Sequence, residues 1–75
     1  MFYIQSPMKR DFFVELLDGN TIEGITYKFE KMEGMKIYFT YQGDVDLERA
    51  IRVAKDHIKT TDYGKVLYYI VMPVE

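Results

Sequence analysis

From Val66 to Met72 the chain reads V-L-Y-Y-I-V-M, seven residues without a charge, a glycine or a proline. A strand sends alternate side chains to opposite faces. Val66, Tyr68, Ile70 and Met72 then share one face and Leu67, Tyr69 and Val71 the other, and both are apolar. Such a strand needs cover on both sides. Only one strongly amphipathic helix lies upstream to supply it. The run is therefore expected to be a central strand with a helix over one face. The second face is left to the N-terminal segment Phe2–Gln5 or to another molecule.

The length sharpens that shortage. A chain of 75 residues is expected to form one domain spanning 1–75. Folding at this size buries only roughly 60% of the unfolded chain's surface, so small cores commonly need disulfides, metal or association. Cysteine is absent, which excludes disulfides and thiolate zinc sites, and a single His57 excludes a histidine cage within one chain. No cofactor is implied. Apolar packing by seven Tyr and five Phe remains, together with oligomerisation.

Ten basic side chains stand against twelve acidic ones, so no chain-wide nucleic-acid footprint exists. The first seven residues, M-F-Y-I-Q-S-P, lack the charged and apolar regions of a signal peptide. No stretch approaches the ~18 apolar residues of a membrane span. The expectation is a soluble, cytoplasmic protein without membrane attachment.

Period-2 patterning organises the first half. Phe2–Gln5 is a short apolar piece ended by Pro7. Asp11–Leu17 alternates Phe12, Val14, Leu16 against Phe13, Glu15, Leu17 and reads as a first full strand, followed by a hairpin signal at Asp18-Gly19-Asn20. Thr21–Glu30 reads as a second strand whose phase switches at Gly24, the mark of a bulge or bend. Lys31–Gly34 turns the chain, and Met35–Tyr41 forms a third strand with Ile37 and Phe39 opposed to Lys36, Tyr38 and Thr40.

Beyond Gln42-Gly43-Asp44 the period becomes 3.6. Leu47, Ala50, Ile51, Ala54 and Ile58 form one stripe of a helix over Val45–Lys59, with Asp44 or Asp46 as its cap. The predicted fold is α+β, a small β-β-β-α-β domain. Its mainly antiparallel curved sheet has order 4-1-2-3, with one helix on one face and the last strand parallel to the first.

Catalytic constellations are scarce. Nucleophilic catalysis needs a nucleophile within reach of a base, and nothing in the spacing ties Ser6 to His57. Asp44, Asp46 and Glu48 read as helix-start acids rather than a cation site. The chain is expected not to be an enzyme.

Two surfaces remain as candidate sites. The first is an aromatic sheet face of Tyr38, Leu67, Tyr69 and Val71, suited to a homodimer or a protein partner because tyrosine offers a large apolar body with a polar tip. The second is a basic helix stripe of Arg49, Arg52, Lys55 and Lys59, with Lys36 and Tyr38 as additions, suited to nucleic-acid phosphates. Glu48 and Asp56 fall at i,i+4 and i,i+3 spacing from these cations and partly neutralise the stripe.

The stretch V-E-L-L-D-G-N-T-I-E-G-I from Val14, continuing through Phe29 and Glu30 to Met32, resembles the first motif of Sm-like RNA-binding barrels. That motif pairs a strand ending in an Asn/Asp-Gly turn with a second strand bent at a glycine. The likeness covers residues 14–32 and implies a curved sheet and RNA contact. The chain departs from that family in having no N-terminal helix and no second glycine-containing motif, and in inserting a long helix. The leading expectation is a small non-enzymatic protein-binding or regulatory module that self-associates or binds a partner through its aromatic sheet face. Nucleic-acid binding is the alternative.

Overall fold

Asp46 sets the longest helix in motion. Its carboxylate accepts a hydrogen bond from the Arg49 amide at 2.8 Å, satisfying one of the donors that a helix start leaves without a partner. In the computed structural model, which describes residues 1–74, this helix is the second of three. The elements are β1 (Phe2–Gln5), α1 (Arg10–Leu17), β2 (Thr21–Ile22), β3 (Ile25–Glu33), β4 (Lys36–Gln42), α2 (Leu47–Lys59), α3 (Asp62–Val66) and β5 (Ile70–Pro73). The α+β class is as expected, and α2 buries the stripe members Ala50, Ala54 and Ile58.

The sheet has five strands in the order β2-β3-β4-β1-β5, and every neighbouring pair is antiparallel. This corrects the expected order 4-1-2-3 and the single helix. Leaving aside the two-residue β2, the path β1-α1-β3-β4-α2-β5 interleaves two split β-α-β units, the ferredoxin-like topology.

The largest correction concerns Asp11–Leu17, which is helix rather than strand. Phe13 and Leu17, four residues apart, are both fully buried, while Phe12 and Leu16 pack beside them. Asp18-Gly19-Asn20 therefore ends a helix instead of joining two strands. Asp18 (φ −60°, ψ 120°) and Gly19 (φ 75°) form a type II turn closed by the Asn20 amide on the Leu17 carbonyl at 3.0 Å. The Asn20 side-chain amide donates to the Leu16 carbonyl at 2.6 Å, satisfying a carbonyl at the helix end. The Gly19 amide donates to the Tyr27 carbonyl at 2.8 Å and fastens α1 to β3.

Gly24 is a turn residue, not a bend within a strand. Glu23 (φ 51°) and Gly24 (φ 80°) form the two-residue loop between β2 and β3, both with the positive φ of a type I′ hairpin. The bulge of this ladder lies further on, between Phe29 and Lys31. With α1 in place of a first strand, the hairpin expected from the Sm-like resemblance does not form.

The C-terminal run is also redrawn. Thr61 caps α3, its hydroxyl accepting from the Gly64 amide at 3.0 Å, so Val66 closes a helix and only Ile70–Pro73 is strand. A Cβ on Gly64 would overlap the Ile58 carbonyl, so only glycine fits where α3 turns against the end of α2. β5 lies at the sheet edge, antiparallel to β1. The segment Phe2–Gln5 thus meets it edge to edge as its hydrogen-bonding neighbour and does not cover its face.

The sheet and its helical layer meet at Tyr27. Its fully buried ring packs edge-on to Phe2 at 5.8 Å, and its hydroxyl donates to the Ala50 carbonyl of α2 at 2.7 Å. Burial, reinforced by the Glu23 charge, pushes the phenol from 10.0 up to about 12. A raised phenol pKa favours the protonated form in the fold, so its contribution is intact below pH 10 and is lost as the pH rises towards 12. Tyr27→Phe should cost about 1 kcal/mol near neutral pH through the lost hydrogen bond. That gap should narrow above pH 10, because only the wild type must ionise this phenol on unfolding. Urea denaturation of both proteins in neutral and strongly alkaline buffer measures it.

Candidate binding face of the sheet

Alternation along the strands sorts every side chain of the sheet. Phe2 and Ile4 of β1 point towards the helices with Ile37 and Phe39 of β4 and Val71 of β5, and all five are buried. α1 and α2 contribute Phe13, Leu17, Val53 and Ile58 to the same core. Helical cover thus lies on one face of the sheet.

The opposite face carries the intervening residues. Tyr3 stands between Tyr38 of β4 and Met72 of β5, and Gln5 stands between Lys36 and Ile70. Two cross-strand rows result, Tyr38–Tyr3–Met72 and Lys36–Gln5–Ile70. The Tyr3 and Tyr38 rings lie 5.7 Å apart, tilted by 49°. The Lys36 ammonium sits 4.8 Å from the Tyr3 ring centroid and the Lys31 ammonium 5.0 Å from that of Tyr38, both within cation–π range. Lys31 also pairs with Glu33 at 3.4 Å, and Thr40 donates to Glu30 at 3.1 Å. The face is aromatic at its centre and mixed in charge around it.

The expected site is reached only in part. Tyr38 lies on this open face. Leu67 and Tyr69 instead pack on the core, and Val71 is 6% exposed, so the expectation that these three face a partner is corrected. The Tyr69 ring meets Phe13 of α1 at 5.6 Å, and burial, with the Asp56 charge, raises its phenol pKa. The other half of the C-terminal run is the exposed half: Val66 at 78%, Tyr68 at 73%, Met72 at 45% and Ile70 at 36%. Tyr3 completes the centre of the face. Its signal was present in F-Y-I-Q, where it alternates with the purely apolar Phe2 and Ile4, once that segment is recognised as a strand.

Arg49, Arg52, Lys55 and Lys59 are exposed along α2, in the helical layer. They are separated by the sheet from Lys36 and Tyr38, with which they do not combine. Arg49 reaches across to Glu23 at 3.8 Å.

Ser6 is fully buried, its hydroxyl 2.9 Å from the Tyr68 carbonyl and 3.0 Å from the Met8 carbonyl. One hydroxyl proton can serve only one of these at a time. That bond holds the start of β5 to the end of β1. Among the described residues no three His, Asp or Glu side chains gather as metal ligands, and no helix is long and apolar enough to cross a membrane. Compared with protein-family models, with curated proteins and with solved structures, the chain finds no match in any of the three.

The two-faced reading makes Tyr38 and Phe39 a matched pair. Tyr38→Ala, on the open face, should cost no more than about 1 kcal/mol of stability, within the ordinary range for a half-buried surface site. Phe39→Ala, one residue on and fully buried, should cost roughly 3–5 kcal/mol. Chemical denaturation of the two variants checks both values.

Proposed function

We propose that this chain is a small non-enzymatic binding module that engages another protein through the sheet face opposite its helices. The observation that carries this reading is the row Tyr38–Tyr3–Met72, with Ile70 beside it, lying on a face that no helix covers. Tyrosine and methionine are enriched in interfaces and lysine and glutamate depleted from their centres. The centre of this face is aromatic and thioether with the Lys36 ammonium over the Tyr3 ring, and Lys28, Lys31 and Glu33 lie towards β3. A mixed-charge rim suits the surface of a protein better than it suits a polyanion.

Nucleic-acid binding is the second reading, and one observation favours it. Two tyrosines on adjacent central strands, each with a lysine ammonium over its ring, offer stacking surfaces beside positive charge. Against it, Glu30 and Glu33 lie among those lysines, and the cations of α2 are in the other layer.

Site-specific photocrosslinking in cells separates the two. A photoreactive residue at position 38 should give adducts with protein, while the same group at Glu15, on the exposed side of α1, should not. Adducts that are exclusively nucleic acid, or equal yields from both positions, would overturn the protein-binding reading.

A further inference from the structure

The lysines of the open face are not equivalent. Lys31 pairs with Glu33 at 3.4 Å, and both of these side chains are more than half exposed. Glu30 accepts from the Thr40 hydroxyl at 3.1 Å. Glu30 and Glu33 are thus both engaged within the chain. Lys36 stands directly across the ladder from Glu33, where opposite charges commonly meet. Glu33 turns to Lys31 instead, and the half-buried Lys36 lays its ammonium 4.8 Å from the centroid of the Tyr3 ring. Among the described residues no carboxylate pairs with Lys36.

Any molecule that closes over Tyr3 therefore also closes over this ammonium. The ring attracts the cation but supplies no acceptor oxygen for its three donors. Burying a charge is costly unless an opposite charge and hydrogen bonds come with it. A wholly apolar partner meets that cost in full, whereas a partner that brings a carboxylate offsets it. Gln5 lies next to Lys36 in its cross-strand row, half-buried, and its side-chain amide can donate to the same carboxylate. Beyond Gln5 and Tyr3, Ile70 and Met72 are uncharged and exposed.

We infer that the partner of this face is an acidic-apolar protein segment, with a carboxylate set on Lys36 and Gln5 and a bulky apolar side chain on Ile70 and Met72. Lys36 and Ile70 are two strands apart, a separation of about 10 Å. Consecutive Cα atoms are only about 3.8 Å apart, so the acid and the apolar anchor are not neighbours in the partner's sequence. This rests on the open face being a protein-binding face and adds the charge that its partner carries. Charge complementarity also sets the segment apart from a polyanion. One desolvated ammonium suits one carboxylate among apolar groups, while Glu30 and Glu33 repel a run of phosphates.

Selection from a random phage-displayed peptide library on the immobilised full chain provides the test. The wild type should select peptides in which Asp or Glu accompanies Leu, Met or an aromatic residue. A peptide so selected should bind Lys36→Glu roughly tenfold more weakly, because attraction at a desolvated site becomes repulsion. Lys36→Met, which keeps an apolar stem over Tyr3, should weaken it by roughly threefold. Selection on Lys36→Glu should turn from acidic to basic peptides. Lys59→Glu changes the net charge equally but lies on α2 in the helical layer, and it should leave binding unchanged. Peptides that depend on Tyr3 and Tyr38 but show no enrichment in acid, or tighter binding by Lys36→Met, would overturn this partner chemistry and leave the protein-binding reading standing. Peptides indifferent to Tyr3→Ala combined with Tyr38→Ala, no selected peptide at all, or retention of a single-stranded DNA oligonucleotide on the face in their place would overturn both.

Discussion

The four residues of β1 hold the molecule together. β5 has no other strand beside it, and β4 meets the C-terminal strand only through β1. Phe2 stacks on Phe39 at 5.7 Å and meets Tyr27 edge-on, so one ring near the N-terminus touches both long strands of the hairpin. A slip of one residue would turn Tyr3 and Gln5 inwards and expose Phe2 and Ile4. Ser6 holds the register against such a slip, its amide on the Met35 carbonyl at 3.0 Å and its hydroxyl on the far side of β1 towards Tyr68. A polar residue this deeply buried is tolerable because its groups are satisfied.

What could be read from the sequence follows where the local signal was unambiguous. The 3.6 period of α2 has its cap at Asp46 and basic residues in its last turn, and nothing competes with it. The alternation of Lys36–Gln42 is equally clean. In R-D-F-F-V-E-L-L the apolar residues satisfy both periods, and length and charge do not decide between them. The deciding contacts are tertiary: Phe13 and Leu17 drop together into the core between β3, β4 and α2. The same holds for Asp18-Gly19-Asn20, whose chemistry suits a hairpin and a helix end alike.

The binding face was harder to read because a strand pattern tells which residues share a side and not which side meets the helices. For the C-terminal run that choice is made by Ser6 and α3, which set where the strand begins. Val71 then lies opposite Ile4 and is drawn inwards, while Ile70 and Met72 are left out. Tyr38 was legible because its neighbours Lys36 and Thr40 are polar, so only one orientation of β4 buries Ile37 and Phe39. The sequence held enough to find an uncovered face. Assigning its members required the order of the strands.

A domain of this size with one bare sheet face couples its stability to its contacts. The core lies between the helices and one side of the sheet, so Tyr3, Tyr38, Ile70 and Met72 contribute little to folding in isolation. Burying apolar surface is worth on the order of 25 cal/mol per Å², and folding of the single chain draws little of that gain from this face. Any ligand that binds only the folded chain stabilises it by mass action. The strand hardest to cover in sequence terms is therefore covered on one side by the core, while Ile70 and Met72 on its other face have no helix over them.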